Sequence, residues 1–244
     1  MNSIHADEFL TVVAPALERG DPQALGEAVG SRWQPAQVCL LLTHTDPEVR
    51  RTAVVTLGIV GGRGEVGALT RCLRDADDQV YQFAEDALWS IWFRTGHADA
   101  AALFREGMLA LTRDELAEAA SRLTAATERD PEFAEAYNQL AIVHYLAGHW
   151  EASQAACRRA LLLMPTHFGA MAGLGHCYVH HGELRQAIDC YRRALAINPR
   201  MPAIVSAKQR LESQLAVDPH AGLANAETDG TVLLDFQADP ARSR

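Results

Sequence analysis

Six histidines crowd the second half of this 244-residue chain: His144, His149, His167, His176, His180 and His181. Imidazole can bind a metal, carry a proton or bond a backbone group near neutral pH. His176 and His180 are four positions apart, so a helix carries both on one face, a spacing that can hold a metal. No third ligand is fixed by the sequence, and Cys177 points elsewhere on the same helix. The histidines therefore read as hydrogen-bonding groups, and neither a metal nor a cofactor is expected. Glu115 and Glu118 stand at the start of a predicted helix, where they suit the positive end of its dipole better than catalysis. No phosphate loop, G-x-S-x-G elbow or H-E-x-x-H pair occurs, so no catalytic residue is assigned.

Composition narrows the partner class. The formal net charge is −9 and Lys208 is the only lysine, which argues against nucleic acid, since duplex binding needs clustered cations. Five cysteines (Cys39, Cys72, Cys157, Cys177, Cys190) cannot all pair within one chain, and none forms C-x-x-C. They read as buried or half-buried thiols of a reducing compartment. The first ten residues carry Asp7 and Glu8 and no cation, unlike a signal peptide. No stretch approaches the apolar length of a membrane span. A cytoplasmic location is the expectation.

The histidines must be positioned by something, and self-similarity shows what. Pro131, Pro165 and Pro199 are spaced 34 residues apart. Alanines precede each by five positions: Ala126, Ala160 and Ala194. The same spacing joins Gly148 to Gly182, Leu140 to Leu174, and Tyr137 to Met171. Small residues suit places where helices approach closely. A glycine suits a turn that needs positive φ, and a proline stops the helix before it. Helix pairs are predicted near 101–113 with 116–129, 134–147 with 150–163, and 168–181 with 184–197. A capping helix near 202–216 carries Ile204, Val205, Ala207, Leu211 and Leu215 on one side.

This pattern resembles the tetratricopeptide repeat. The third copy carries it on Leu174, Gly175, Tyr178, Gly182, Ala187, Tyr191, Ala194 and Pro199. The second keeps Tyr137, Leu140, Ala141, Gly148, Ala160 and Pro165, and departs at His144 and at Ser153, where alanine is usual. The first keeps Gly107, Ala119, Leu123, Ala126 and Pro131, with Glu106 in place of leucine and Asp114 in place of the turn glycine.

The N-terminal part repeats differently. Asp46, Val49, Ala53 and Leu57 recur 31 residues later as Asp77, Val80, Ala84 and Leu88, and Leu42 maps to Leu73. Each segment opens a helix with an aspartate cap followed by an apolar stripe. Residues 35–95 thus resemble the short HEAT-type repeat of phycobilin-lyase-like proteins. Residues 8–30 are predicted helical, with an interruption at Gly20, Asp21 and Pro22. Trp89, Trp92 and Phe93 close this region and are expected to pack toward Leu103 and Phe104. An exposed aromatic patch is the alternative.

The resulting expectation is an all-α, right-handed helical-repeat solenoid: HEAT-like repeats in 1–97, three tetratricopeptide units with a cap in 98–216, and a disordered tail in 217–244. The tail holds one apolar island, Thr231 to Phe236. The resemblance implies a non-enzymatic adaptor that binds a protein or peptide along the first helices of the pairs. Carried over, the lining comprises Phe104, Met108 and Leu111, then Glu135, Asn138, Gln139, Ile142 and Tyr145. The third copy adds Gly169, Ala172, Gly173, His176, Val179 and His180, and the cap adds Lys208 and Arg210. Phe104, Met108, Gly169 and Gly173 stand where a carboxylate clamp would need cations and an amide, so that specificity is not expected. Asn138 and Gln139 could bond a peptide backbone. The alternative is an enzyme or enzyme accessory of the HEAT-repeat bilin-lyase type.

Overall fold

The computed structural model describes residues 4–218, and within them every regular element is helical. Two compact units meet between Thr95 and Gly96. The first holds α1 (Ala6–Glu18), α2 (Pro22–Gly30), α3 (Pro35–Val38), α4 (Pro47–Val60), α5 (Val66–Cys72) and α6 (Asp78–Arg94), with 3-10 turns at Cys39–Thr43 and Arg63–Glu65. The predicted interruption of the first helical stretch is real: Gly20 has φ +59°, and Asp21 caps α2 by accepting a hydrogen bond from the Ala24 amide at 3.0 Å.

Helices α4 and α6 form the centre of this unit. Both begin with an aspartate cap: Asp46 accepts from Glu48 N, and Asp77 from the amides of Gln79 and Val80. Arg50 grips Asp75 with two bonds of 2.8 Å and also donates to the carbonyls of His44 and Thr45. Partial burial pushes the Asp75 carboxyl up, but the bonds from Arg50 outweigh it and hold it below the usual carboxylate range. Arg51 pairs with Asp77 in the same way one position along. At the far end, Arg94 on α6 donates to the Gly58 and Gly61 carbonyls at the end of α4, which that helix cannot satisfy itself. Trp92 is buried, and Trp89 lies 4.9 Å from it and 6.3 Å from Phe93, ring centre to ring centre.

The second unit runs α7 (Ala98–Thr112), α8 (Leu116–Arg129), α9 (Ala134–Leu146), α10 (Trp150–Leu163), α11 (Phe168–His180), α12 (Leu184–Ile197) and α13 (Pro202–Val217). These match the predicted pairs to within about three residues. Each of α8, α10 and α12 ends two residues before its proline. Three-residue turns join the helices within each pair, and the turns share one hydrogen-bond pattern. Glu115, His149 and Glu183 each donate an amide to the carbonyl five residues back, on Ala110, His144 and Tyr178. The same middle position has φ +60° at Asp114, +75° at Gly148 and +73° at Gly182. Asp114 is the one non-glycine with positive φ among the described residues. The degenerate first copy therefore keeps the turn and carries its backbone strain.

Close helix approach explains the small residues. Ala119, Ala126, Ala160, Ala187 and Ala194 are wholly buried. A Cβ at Gly175 would lie 2.5 Å from the Tyr191 ring, and one at Gly107 2.8 Å from Leu123, so neither site accepts a side chain without movement. Ser153, where the repeat usually has alanine, is buried and donates to the Ala141 carbonyl at 2.8 Å, tying α10 to α9. Helix α13 lays Ile204, Ala207 and Leu211 on the last pair and runs through Val217, one residue beyond the expected end of the cap. Most of the expected tail, with its island at 231–236, lies outside the described residues.

The shared turn makes a paired prediction. Asp114→Gly relieves a left-handed backbone that costs an L-residue roughly 1 kcal/mol, whereas Gly148→Ala introduces that cost. Urea denaturation should show the first variant stabilised and the second destabilised by similar amounts. Equal effects of one sign at both positions would contradict the equivalence of the turns.

Candidate functional site

The first helices of the three pairs, α7, α9 and α11, carry the residues expected to line a partner face. The structure divides those residues into two groups. Phe104, Asn138, Gln139, Ile142, Ala172 and His176 are buried, as are Leu111, Glu135 and Gly173. Met108, Tyr145, Gly169, Val179 and His180 are half-buried. Lys208 lies 3.5 Å from Glu212, its neighbour one turn along α13, and Arg210 is exposed.

Packing between pairs accounts for the first group. Phe104 stacks at 4.9 Å against Phe133, in the connection leading to α9. Glu135 is fully buried at the start of α9, and its carboxylate accepts three hydrogen bonds. Asn138 donates at 3.1 Å, Gln139 at 2.7 Å and His167 at 2.7 Å. His167 caps α11, with its Nδ1 accepting from the Ala170 amide at 3.1 Å. That bond occupies the Nδ1 lone pair, so the ring proton sits on Nε2 and is donated to Glu135. Asn138 and Gln139, expected to face a peptide backbone, thus spend their amide donors on a carboxylate buried by repeat stacking. Only the Asn138 Oδ1 is left without a partner.

The half-buried group forms part of a continuous run of rings. Tyr191, on α12, donates its hydroxyl to His176 Nδ1 at 2.6 Å; the ring nitrogen accepts because burial holds that imidazole neutral. His176 lies 6.3 Å from Tyr145, and Tyr145 meets Trp150 edge-on at 4.9 Å. Trp150 stacks on His180 with ring centres 3.6 Å apart and planes at 32°. His180 is 5.9 Å from His181, and His144 is 5.9 Å from His149. Burial pushes the His176 imidazole down to about 3 and also lowers His144 and His180, where neighbouring histidines add to the effect. Burial raises the Tyr145 and Tyr191 phenols. The strip is therefore uncharged at neutral pH.

Two of its polar atoms are buried without a hydrogen-bond partner: Nδ1 of His144 and Nδ1 of His180. Sequence reasoning had placed His180 on this face but missed Trp150 and gave His149 no role there. The available signal was the short Tyr145–Gly148–Trp150 turn, which folds two large rings together. Among the described residues, no three His, Cys, Asp or Glu side chains group to hold a metal. No helix among them is long and apolar enough to cross a membrane. The first unit has a separate cavity of about 550 Å³ bordered by Pro22, Gly26, Trp33, Ile59 and Val60, with Glu27 as its single titratable lining group.

Buried His176 gives an acid signature. Its folded pKa lies below the unfolded value, so its stabilising contribution is present above about pH 6.5. That contribution is lost as pH falls from there toward 3. Denaturation of the chain from residue 96 to 218 should weaken over this window by on the order of a few kcal/mol. His176→Gln should flatten the slope. An identical slope in the variant would contradict the neutral, Tyr191-bonded imidazole.

Comparison with known families agrees with the two patterns. Residues 132–200 match the Tetratricopeptide repeat family, covering the second and third copies. Residues 22–89 match the HEAT repeats family, which begins earlier than the expected residue 35 and takes in α2. No curated protein matches the chain. Among solved structures, the first tetratricopeptide repeat domain of Spaghetti, bound to an HSP90 peptide, is 19% identical. It covers 48% of this chain and 93% of its own, at a TM-score of 0.47. The Sgt2 domain from Aspergillus fumigatus is 16% identical, covering 60% and 95%, at 0.49. YrrB, described as having an unusual peptide-binding site, is 17% identical, covering 84% and 92%, at 0.44.

Proposed function

We propose that this chain, a HEAT-repeat segment followed by tetratricopeptide repeats, is a non-enzymatic adaptor that holds a protein or peptide segment against the first helices of its second unit. The observation that carries this reading is the half-buried strip Tyr145–Trp150–His180, with the orphaned nitrogens of His144 and His180 beside it. A buried polar atom without a partner is costly. A ligand that brings N–H or O–H groups to the strip relieves that cost while covering aromatic surface, and peptides do both.

The chemistry of the strip also defines the ligand. Its rings are neutral, and the positions where a carboxylate clamp would place cations hold Phe104, Met108, Gly169 and Gly173. An apolar or aromatic side chain flanked by backbone donors fits better than a terminal carboxylate. The same features support a binding role over a catalytic one, because no nucleophile, base and oxyanion donor converge there.

Peptides selected from a random library on the immobilised chain test this. Tyr145→Ala with Trp150→Ala should weaken their binding by about 2 kcal/mol, roughly thirtyfold in Kd. Arg192→Ala, on the exposed side of α12, should leave binding unchanged. Selected peptides that keep their affinity for the double variant and lose it for Arg192→Ala would assign the working face to the second helices instead.

A further inference from the structure

Three buried thiols occupy the second unit: Cys157 on α10, Cys177 on α11 and Cys190 on α12. The first two touch. Cys157 and Cys177 share a thiol–thiol hydrogen bond across the contact between the second helix of one repeat and the first helix of the next. Cys177 Sγ also donates to Ser153 Oγ at 3.2 Å, and Ser153 in turn donates to the Ala141 carbonyl. Ser153 replaces the usual alanine, so a hydroxyl stands beside one cysteine where the repeat ordinarily has a methyl group.

We propose that Cys157 and Cys177 form an oxidation site, at which a peroxide converts the hydrogen-bonded pair into a disulfide that staples α10 to α11. The chemistry follows from the asymmetry of the pair. The hydrogen bond from Cys157 lowers the Cys177 thiol, and Ser153 and the nearby Arg158 guanidinium act in the same direction. The same hydrogen bond, together with burial, raises Cys157. Burial pushes Cys39, Cys72 and Cys190 up to about 11, which leaves them as unreactive thiols. Cys177 is therefore the nucleophile although Cys39 is the more exposed.

The step balances with hydrogen peroxide as the oxidant. The Cys177 thiolate attacks one peroxide oxygen, the O–O bond breaks, and the departing hydroxide takes a proton to become water. This leaves a sulfenic acid on Cys177. The Cys157 sulfur then attacks the Cys177 sulfur and the S–O bond breaks. The leaving hydroxide takes the Cys157 proton, giving a second water and the disulfide. Two thiols are oxidised and one peroxide is reduced. Both sulfurs are shielded from solvent, so the peroxide enters when the contact between α10 and α11 opens locally. The reaction is thus slow in the resting chain, and its rate reports on the packing of the second repeat against the third.

The test uses the full chain in native buffer. It is exposed to hydrogen peroxide, quenched with N-ethylmaleimide, and mapped by peptide mass spectrometry without reduction. The expected result is a Cys157–Cys177 linked peptide, with loss of maleimide labelling at those two residues and full labelling of Cys39 once the chain is unfolded. Closing the link should raise the melting temperature by several degrees, reversed by dithiothreitol. Cys157→Ser, confirmed folded by circular dichroism, should leave a dimedone-reactive sulfenic acid on Cys177. A link that forms only in urea, or that joins Cys190 in place of either partner, would overturn the proposal. Dimedone labelling that favours Cys39 over Cys177 would do the same.

Discussion

Stacking the second helical pair on the third takes the Glu135 carboxylate wholly out of water. A carboxylate in that position is tolerated only when hydrogen bonds replace its hydration. Three donors meet it: two from its own helix, Asn138 and Gln139, and one from the next repeat, His167. His167 is committed twice, because the nitrogen that does not face Glu135 caps α11. The start of α11 is therefore set by a charge on α9. Everything further along those two helices inherits that register, including the approach of Tyr145 to His176 and of Trp150 to His180. A half-satisfied network would be worse than an apolar contact, and this one has geometry as its main product.

The two units solve the problem of stacking helices by different means. In the first, charges at helix ends do the work: Arg50 and Arg51 hold the acidic loop before α6, and Arg94 holds the end of α4. In the second, size does it. Alanine or glycine at each crossing lets backbones approach, and Tyr191 fills the space that Gly175 leaves. The tyrosine then serves the neighbouring face by supplying a proton donor to His176. A packing residue on a second helix thus fixes the protonation state of a residue on a first helix.

Much of this architecture could be read before the structure, and the reason is local. Helix ends in the second unit follow from proline, glycine and alanine at fixed intervals, each acting within a few residues of itself. Even Asp114, the departure from the turn glycine, keeps the left-handed backbone that its position demands. Side-chain roles on the first-helix face were less legible. Nothing adjacent to Asn138 or Gln139 signals that Glu135 claims their amides, because burial of Glu135 depends on His167, 32 residues away. Trp150 was missed for a related reason: it belongs to a second helix by pattern, yet the turn at Gly148 returns its ring to Tyr145. The HEAT-type boundary began at α2, earlier than expected, because its first helix lacks the aspartate signature that marks α4 and α6.

The claim on which this account rests is that Glu135 and His167 are coupled across the repeat boundary and are not two independent buried polar groups. A double-mutant cycle measures this directly, with Glu135→Leu, His167→Leu and the two combined compared by urea denaturation. The account predicts that each single change, by leaving its partner buried and unsatisfied, costs on the order of 3–5 kcal/mol. The combined variant should cost less than the sum, with a coupling of roughly 1–3 kcal/mol. Costs that add to within about 0.5 kcal/mol would contradict it, and the register of α11 on α9 would then have to come from apolar packing alone.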